Sequence, residues 1–198
     1  MGIVFSDLSV SADGFATGLH QSEESPFGDI DETWLHGWMF DDSGDNRAEV
    51  EAITASGATI MGRNMFGPVR GEWDREWRGW WGPNPPYHNP VFVLTRFPRA
   101  PIEMEGGTTF HFVTDGAGRA LELARAAAGD RDVSVAGGPG TVNQFLTAGL
   151  LDELRLHVTP CVLGAGVRVF DGVPAQRLDR VSVRATPLVT HIVYRPRR

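Results

Sequence analysis

Cysteine is almost absent from this sequence of 198 residues, which contains only Cys161. A disulfide within the chain needs two thiols and a cysteine-rich zinc site needs several, so the sequence excludes both. A single free cysteine suits a reducing compartment, and we therefore expect a cytoplasmic protein.

Long apolar stretches and clusters of positive charge are also missing. The N-terminus reaches Ser6 and Asp7 without a basic segment or a long apolar run, and no later stretch is long enough to span a bilayer, so we expect neither export nor membrane insertion. The chain has 18 Lys+Arg against 25 Asp+Glu, a net charge of −7, and its longest basic cluster is Arg197 with Arg198. A surface that follows nucleic-acid phosphates is not expected, and the predicted partners are small molecules or other protein chains.

The pattern of apolar and polar residues predicts one α/β domain over residues 1–198. A hydrophobic content of 41% is enough for a substantial core. Apolar and β-branched runs predict strands at 3–10, 58–61, 91–95, 108–113, 132–136 and 154–159, and helical spacing predicts helices at 31–40, 46–56, 116–128 and 141–148. Two alternating segments near 178–185 and 188–195 follow. This order predicts a mixed, mainly parallel sheet flanked by helices, with a C-terminal antiparallel ribbon.

Residues 71–90 do not follow this alternation. They contain four tryptophans and four prolines, which predicts a long aromatic loop. Its rings could form a flat wall against which a planar heterocycle stacks, or they could pack against the body of the protein. We favour packing.

A glycine-rich turn joins the predicted strand at 132–136 to the following helix. The strand ends at Gly137-Gly138-Pro139-Gly140, and Thr141 starts the helix. Glycines allow backbone N–H groups and a helix N-terminus to approach an anion, so the turn is a candidate pyrophosphate cradle. It could equally be a tight turn only, and it does not follow the GxGxxG order of a Rossmann site.

Two arginines stand at comparable strand ends. Arg63 follows the strand at 58–61 and Arg96 follows the strand at 91–95, and open α/β sheets bind ligands beyond the carboxyl ends of their strands. A guanidinium there can hold a phosphate with two hydrogen bonds, although either arginine alone could be a solvated surface charge. Together with the glycine turn, they predict a dinucleotide that carries an extra phosphate.

Five segments carry a resemblance to a known family. They are Ser11-Ala12-Asp13-Gly14-Phe15, Met61-Gly62-Arg63-Asn64-Met65-Phe66, Val93-Leu94-Thr95-Arg96, Ala136-Gly137-Gly138-Pro139-Gly140-Thr141-Val142 and Pro160-Cys161-Val162-Leu163-Gly164-Ala165-Gly166. In this order and spacing, the chain resembles the dihydrofolate reductase superfamily, in the branch similar to the C-terminal reductase domain of RibD-type riboflavin-biosynthesis proteins.

The resemblance implies an NADPH site. It implies that Arg63 and Arg96 face the adenosine 2′-phosphate, that Thr95 lies by the adenosine, and that residues 137–142 cover the pyrophosphate. The whole set of cofactor-binding residues that it implies is Ala12, Gly14, Gly62, Arg63, Asn64, Leu94, Thr95, Arg96, Ala136, Gly137, Gly138, Pro139, Gly140, Thr141 and Val142. Met65 stands where dihydrofolate reductases commonly have a phosphate-binding threonine, and Asn64 is the candidate substitute.

Two carboxylates are candidate catalytic groups. Asp13 follows the first strand in a loop that the resemblance places near the nicotinamide, and Asp31 precedes Trp34 with the spacing of the folate-binding helix. The alternatives are ordinary turn chemistry for Asp13 and helix initiation for Asp31. His36 lies on the same predicted helix as Asp31, where a lone histidine is more often packed or exposed than catalytic. His88 and His111 have no recognisable metal partners in the sequence, so we predict no metal site.

These observations predict an NADPH-dependent reductase that acts on a C=O or C=N bond of a small substrate, similar to the 5-amino-6-(5-phosphoribosylamino)uracil reductase of riboflavin synthesis or, less closely, to dihydrofolate reductase. The chain lacks the H-x-E…P-C-x-x-C signature of the zinc deaminase that often accompanies the riboflavin enzyme, so that pathway is one option among several. The alternative is a nucleotide-binding module of the same fold without turnover. We also expect a homodimer formed partly through the C-terminal ribbon, unless that ribbon packs wholly on its own sheet.

Overall fold

The computed structural model describes residues 2–41 and 44–197. Its strands are β1 (Val4–Ser11), β2 (Phe15–Thr17), β3 (Ala58–Gly62), β4 (Pro90–Leu94), β5 (Ile102–Glu103), β6 (Thr109–Val113), β7 (Val133–Gly137), β8 (Glu153–Thr159), β9 (Val167–Arg168), β10 (Leu178–Ala185) and β11 (Thr190–Pro196). Its α-helices are α1 (Thr33–His36), α2 (Arg47–Thr54), α3 (Arg63–Phe66), α4 (Gly116–Ala128) and α5 (Pro139–Thr147), and short 3₁₀ turns occupy Gly37–Met39 and Glu105–Gly107.

The described residues form a nine-stranded sheet in the order β10-β11-β8-β1-β7-β3-β4-β6-β5. The six strands from β8 to β6 are mutually parallel, whereas β5, β10 and β11 pair antiparallel at the two ends. The small pair of β2 and β9 lies outside this sheet. Because parallel strands share a direction, the carboxyl ends of β1, β3, β4, β7 and β8 all reach the same edge.

Helices α4 and α5 cover one face of the sheet. Strand residues of alternate position, such as Ile60 and Phe92, join Ala124 and Phe145 of these helices in the larger hydrophobic core. Their neighbours Met61 and Val91 point to the opposite face, as the two-residue period of a strand requires.

The aromatic loop at 71–90 covers the opposite face over β3, β4 and β6. Trp73, Trp77 and Trp81 pack against the second core, which contains Phe66 and Phe110. The indole N–H of Trp73 donates to the Phe97 carbonyl and that of Trp77 to the Phe66 carbonyl. These contacts show that the loop packs on the body of the protein, as we favoured.

The α/β architecture and the C-terminal ribbon are confirmed, and the shorter elements differ from the prediction. The helix predicted at 31–40 is a single turn, α1, followed by the 3₁₀ turn Gly37–Met39, because Gly37 gives little support to a helix and Trp38 turns inward to a buried position. The strands β2, β5 and β9 were not predicted, since two or three residues are too short to show alternation. Among the described helices, none is long and apolar enough to cross a bilayer.

Candidate functional site

The predicted cofactor residues of β3, β4 and α5 meet at the carboxyl edge of the sheet. Gly62, the last residue of β3, lies so close to Thr141 of α5 that a Cβ atom at this glycine would collide with the threonine hydroxyl. Arg63, which starts α3, donates from Nη1 to Thr95 Oγ1 at 3.2 Å. Residues far apart in sequence therefore form one continuous surface.

The glycine turn after β7 opens this surface toward solvent. Gly137 has a φ of +126°, a conformation that residues with a side chain rarely adopt, and a cis peptide bond joins it to Gly138. No described atom lies within 4 Å of the position that a Cβ would take at Gly138 or at Gly140. α5 begins at Pro139, which has no N–H group, and the Thr141 N–H already donates to the Gly138 carbonyl at 2.9 Å. Among the described residues, the first-turn N–H that remains for an acceptor outside the helix is that of Gly140. The turn therefore leaves space for an anion beside a helix N-terminus.

Arg63 is held in a fixed orientation. Its Nε donates to the Val69 carbonyl at 3.0 Å, and its guanidinium carbon lies 3.7 Å from the centroid of the Trp73 ring. The remaining nitrogen, Nη2, is buried and has no hydrogen-bond partner among the described residues. A buried donor without a partner is costly, so this atom is prepared to bind an acceptor.

Two further arginines, which we did not predict, contribute positive charge at this site. Burial lowers the pKa of Arg63 from its ordinary value, and the nearby charges of Arg70 and Arg99 lower it further. Arg99 also lies over the Trp73 ring at 4.8 Å. Both residues belong to irregular segments around the aromatic loop, where the sequence has no strand-end pattern that could have identified them.

The other predicted cofactor residues occupy less enclosed positions. Arg96 and Asn64 are exposed, and the Asn64 carbonyl accepts a hydrogen bond from Gln21 Nε2. Met65, the departure from the family pattern, packs with its sulfur against Gly137. Leu94 and Ala136 are half-buried at the ends of β4 and β7.

Asp13 joins the loop after β1 to the segment after β8. Its carboxylate accepts hydrogen bonds from the Ser11 hydroxyl at 2.6 Å and from the backbone N–H groups of Leu163 (3.1 Å) and Gly164 (2.7 Å). Of these, the Ser11 hydrogen bond does most to lower the pKa of Asp13, to about 2. A carboxyl group with this pKa carries no proton at neutral pH, which favours a role in holding the loop over a role as a proton donor.

Asp31 lies two residues before the first residue of α1, Thr33. Its carboxylate accepts from the N–H of Thr33 at 2.9 Å and from the Thr33 hydroxyl at 2.7 Å, and these two bonds lower its pKa. This contact is the helix-initiating arrangement that the sequence left open as the alternative.

A cavity of about 600 Å³ lies between α1 and the segment after β8. Its walls are formed by Thr33, Trp34, Gly37, Trp38, Asp41, Thr159, Pro160, Cys161, Val162 and Leu188. Thr159 pairs with Ser11 across β1 and β8, and the Ala12 N–H donates to the Cys161 carbonyl at 2.8 Å. The cavity therefore adjoins the loop that we predicted to contact the nicotinamide.

A chain of buried polar side chains, which we also did not predict, lies beneath the cavity. Asp7 Oδ1 is 3.0 Å from His157 Nε2, His157 Nδ1 is 2.7 Å from His191 Nδ1, and His191 Nε2 is 3.0 Å from Asn46 Oδ1. The Trp38 ring packs on both imidazoles, with centroids 4.7 Å and 5.1 Å away. Trp38 thus contacts these polar side chains on one side and also lines the cavity.

Asn46 and Asp7 accept hydrogen bonds at the two ends of this group of polar side chains. The Asn46 amide donates to the Trp38 carbonyl, so its oxygen faces His191 and accepts from Nε2. His157 Nε2 faces the Asp7 carboxylate and donates to it. The arrangement depends on strand pairing, since His157 and His191 face each other only because β8 and β11 are adjacent.

We predict that acid destabilises the protein between about pH 6.5 and pH 4. Burial, followed by the charge of His157, lowers the pKa of His191 to about 4, although Glu49 and Asp7 oppose this shift and Arg184 adds to it. Burial also lowers the pKa of His36 to about 4. The unfolded chain takes up these protons near pH 6.5 and the folded chain does not, so stability falls as the pH falls through this window, on the order of 2 kcal/mol for each of the two histidines by about pH 4.5.

Urea unfolding at pH 7 and at about pH 4.5 measures this dependence. The free energy of unfolding should fall less between the two pH values in His191→Gln than in the wild type. His20→Gln, which alters an exposed histidine, should show the same fall as the wild type. An equal loss in all three proteins would contradict the assignment to His191.

The histidines named in the sequence analysis lie apart from one another. His36 packs against Phe27 with ring centroids 4.6 Å apart, and His111 stacks on Phe92 at 5.2 Å. His88 contacts the Gly106 carbonyl through Nδ1. Within residues 2–41 and 44–197, no three His, Cys, Asp or Glu side chains are grouped as a metal site would require.

Solved structures share this architecture. A candidate riboflavin biosynthesis protein from Shewanella sp. PV-4 aligns with a TM-score of 0.65 at 22% identity, over 99% of this chain and 99% of that one. A pyrimidine reductase-like protein from Corynebacterium diphtheriae aligns with a TM-score of 0.61 at 15% identity, over 100% and 92%. At these identities the likeness establishes the fold.

A longer protein also contains this fold. The diaminohydroxyphosphoribosylaminopyrimidine deaminase/5-amino-6-(5-phosphoribosylamino)uracil reductase of Thermotoga maritima aligns with a TM-score of 0.60 at 16% identity. The alignment covers 98% of this chain but only 56% of the Thermotoga protein, so the chain spans little more than half of that protein.

Sequence comparison gives the family directly. No curated protein matches the chain significantly. The RibD C-terminal domain family, however, matches residues 3–192, which is nearly the whole chain. The protein therefore belongs to the RibD C-terminal domain family, within the dihydrofolate-reductase-like fold that its sequence resembled.

Proposed function

We propose that this protein is an NADPH-dependent oxidoreductase that reduces a C=O or C=N bond of a small organic substrate. The observation that carries the proposal is the surface where Arg63, Thr95 and the glycine turn converge. Membership of the RibD C-terminal domain family supports the same reaction class.

The residues present fit a phosphorylated dinucleotide. The buried Nη2 of Arg63 has no described partner, and Arg70 and Arg99 add positive charge near it. The space at Gly138 and Gly140 would be filled by any side chain, and it lies at the N-terminus of α5. The arginines suit the 2′-phosphate of the cofactor, and the space at the glycine turn suits its pyrophosphate.

NADPH, when bound, would supply the hydride, and the chain would orient both reactants. Arg63 would hold the 2′-phosphate, and the turn with α5 would hold the pyrophosphate. Asp13 would fix the loop after β1 against Leu163 and Gly164, and the substrate would occupy the adjoining cavity. The accompanying proton can arrive from water, since Trp34 (54% exposed) and Val162 (68% exposed) border the cavity.

Two titrations and an activity panel test the proposal. Calorimetric titration with NADPH and NADP⁺ should show saturable binding at one site per chain. Oxidation of NADPH, followed by its absorbance, should then occur with at least one compound of a carbonyl, pterin and pyrimidine panel. Absence of NADPH binding would overturn the proposal.

The alternative is a nucleotide-binding module of the same fold without turnover. Asp13 motivates it, because a carboxyl group that is ionised and bonded to three donors does not serve as a proton donor. Tight NADPH binding with no oxidation across the panel would favour this alternative.

We further propose that two copies associate through the C-terminal ribbon. β10 is an eight-residue edge strand whose residues are almost all exposed, with Val181 at 48% and Val183 at 51%. Long exposed edges with apolar side chains invite pairing with another strand, and two-fold dimers are the most common soluble assemblies.

Light scattering at micromolar concentration measures the assembly. We expect a mass about twice the 21.6 kDa of the chain. Val183→Asp places a charge on the proposed interface and should shift the mass toward that of one chain, whereas Ala127→Asp, on the exposed face of α4, should not. A wild-type mass near 21.6 kDa would overturn the proposal.

A further inference from the structure

The substrate cavity has walls of unusual composition for a site that would receive a sugar phosphate. Three exposed side chains of its lining are large and apolar: Trp34 is 54% exposed, Val162 68% and Leu188 42%. Trp38 adds a second indole to the lining. Exposed apolar groups gathered around one concavity favour an apolar ligand, and indole rings favour one with a flat face.

The charge of the cavity points the same way. Its only charged lining side chain, among the residues that the structure describes, is the acidic Asp41. No described arginine lines the cavity, and the whole chain contains no lysine. Phosphate sites in proteins are normally built from arginine, lysine or backbone N–H groups, whereas here a phosphate would enter beside a carboxylate.

The arginines that could bind phosphate are grouped elsewhere. Arg63 and Arg99 both lie over the Trp73 ring, and the charges of Arg70 and Arg99 both act on Arg63, which follows β3. The cavity lies at the ends of β1 and β8, and β7 separates β1 from β3 in the sheet. These arginines therefore lie at the proposed cofactor surface and not in the cavity.

We infer that the cavity bounded by Trp34, Trp38 and Val162 binds a planar, unphosphorylated substrate and discriminates against sugar phosphates. This inference rests on the proposed function, since it names the class of substrate for that site. It separates the chain from the Thermotoga relative, whose name specifies a phosphoribosyl substrate.

Calorimetry on the protein saturated with NADP⁺ tests this inference. The probes are 5-amino-6-(5-phosphoribosylamino)uracil and the same compound without its phosphate, together with a small set of planar compounds (a pteridine, a quinoxaline and a naphthoquinone). We expect at least one unphosphorylated compound to bind, and the phosphate to weaken binding of the ribosyl compound about tenfold through repulsion by Asp41 and loss of hydration.

A matched pair of variants introduces a cation inside and outside the cavity. Val162→Arg should raise the affinity for the phosphorylated probe about tenfold relative to its unphosphorylated counterpart, because it supplies the missing phosphate ligand. Ala127→Arg adds the same charge on the exposed face of α4 and should change neither affinity. Thermal melting of both variants checks that they fold.

The outcomes separate this inference from the proposed function. Failure of NADPH to bind overturns the proposed function. Where NADPH binds, tenfold tighter binding of the phosphorylated probe to the wild type overturns this inference alone, as does failure of every unphosphorylated compound to bind. A folded Val162→Arg variant whose affinity for the phosphorylated probe does not rise also contradicts the inference.

Discussion

The Gly138→Val variant is expected to fold normally and to lose measurable NADPH binding. Gly138 has φ −69° and ψ −171°, a backbone conformation open to residues with side chains, and no described atom lies near its Cβ position. The protein itself therefore tolerates the added atoms. They would instead fill the space that the pyrophosphate needs in order to reach the backbone at the start of α5.

Calorimetric titration with NADPH measures the loss, which we expect to be about a hundredfold or more, since both the backbone contacts and the space for the phosphates are removed. Ala148→Val, at the exposed C-terminal end of the same helix, is the control for adding a β-branched side chain, and it should bind as the wild type does. A Gly138→Val protein with wild-type melting and wild-type NADPH affinity would show that the turn has only a structural role.

The Arg63→Ala variant is expected to lose affinity for NADPH much more than for NADH. The two cofactors differ only in the 2′-phosphate, which we propose is held by the guanidinium whose Nη2 has no described partner. Loss of a charge-assisted hydrogen bond typically costs about 1.5–3 kcal/mol, which corresponds to roughly tenfold or more in affinity. NADH lacks the acceptor, so its dissociation constant should change little.

The comparison of cofactors also separates this role from a structural one. Arg63 supports the Val69 carbonyl and stacks on Trp73, so its removal could loosen the site, and a loosened site would weaken both cofactors alike. Arg63→Lys keeps the positive charge but not the planar guanidinium group, so its affinity for NADPH should lie between those of the wild type and Arg63→Ala. Arg125→Ala, an exposed arginine of α4, should leave both affinities unchanged. Equal weakening of NADPH and NADH by Arg63→Ala would reject the assignment.

Local patterns predicted most of the secondary structure, since burial and helix termination act over a few neighbouring residues. The strand at 58–61 is a mostly apolar run and became β3, buried on both faces. The helix predicted at 116–128 was confirmed as α4, because alanine-rich spacing and Gly129 determine its extent locally. The family followed from motif order alone, and the match over residues 3–192 confirms it.

What the sequence could not show is which distant side chains meet. Arg63 and Arg96 looked equivalent as strand-end arginines, yet Arg63 is fixed against Trp73 and Thr95 while Arg96 is exposed, because only β3 is followed by a helix that the aromatic loop covers. Asp13 is a candidate acid in the sequence, which gives no sign that its carboxylate accepts hydrogen bonds from Leu163 and Gly164 about 150 residues away.

The sequence by itself determined the order of the longer strands and helices and the glycine turn, because each depends on residues close together in the chain. It also indicated the family, through five motifs in a particular order along the chain. Tertiary structure alone decided the pairing of His157 with His191, the arginine group around Trp73, and a cavity whose walls come from α1, the segment after β8 and the turn at Leu188. Contacts of this kind depend on which strands lie side by side and on how loops fold over them, and no short-range pattern in the chain encodes that arrangement.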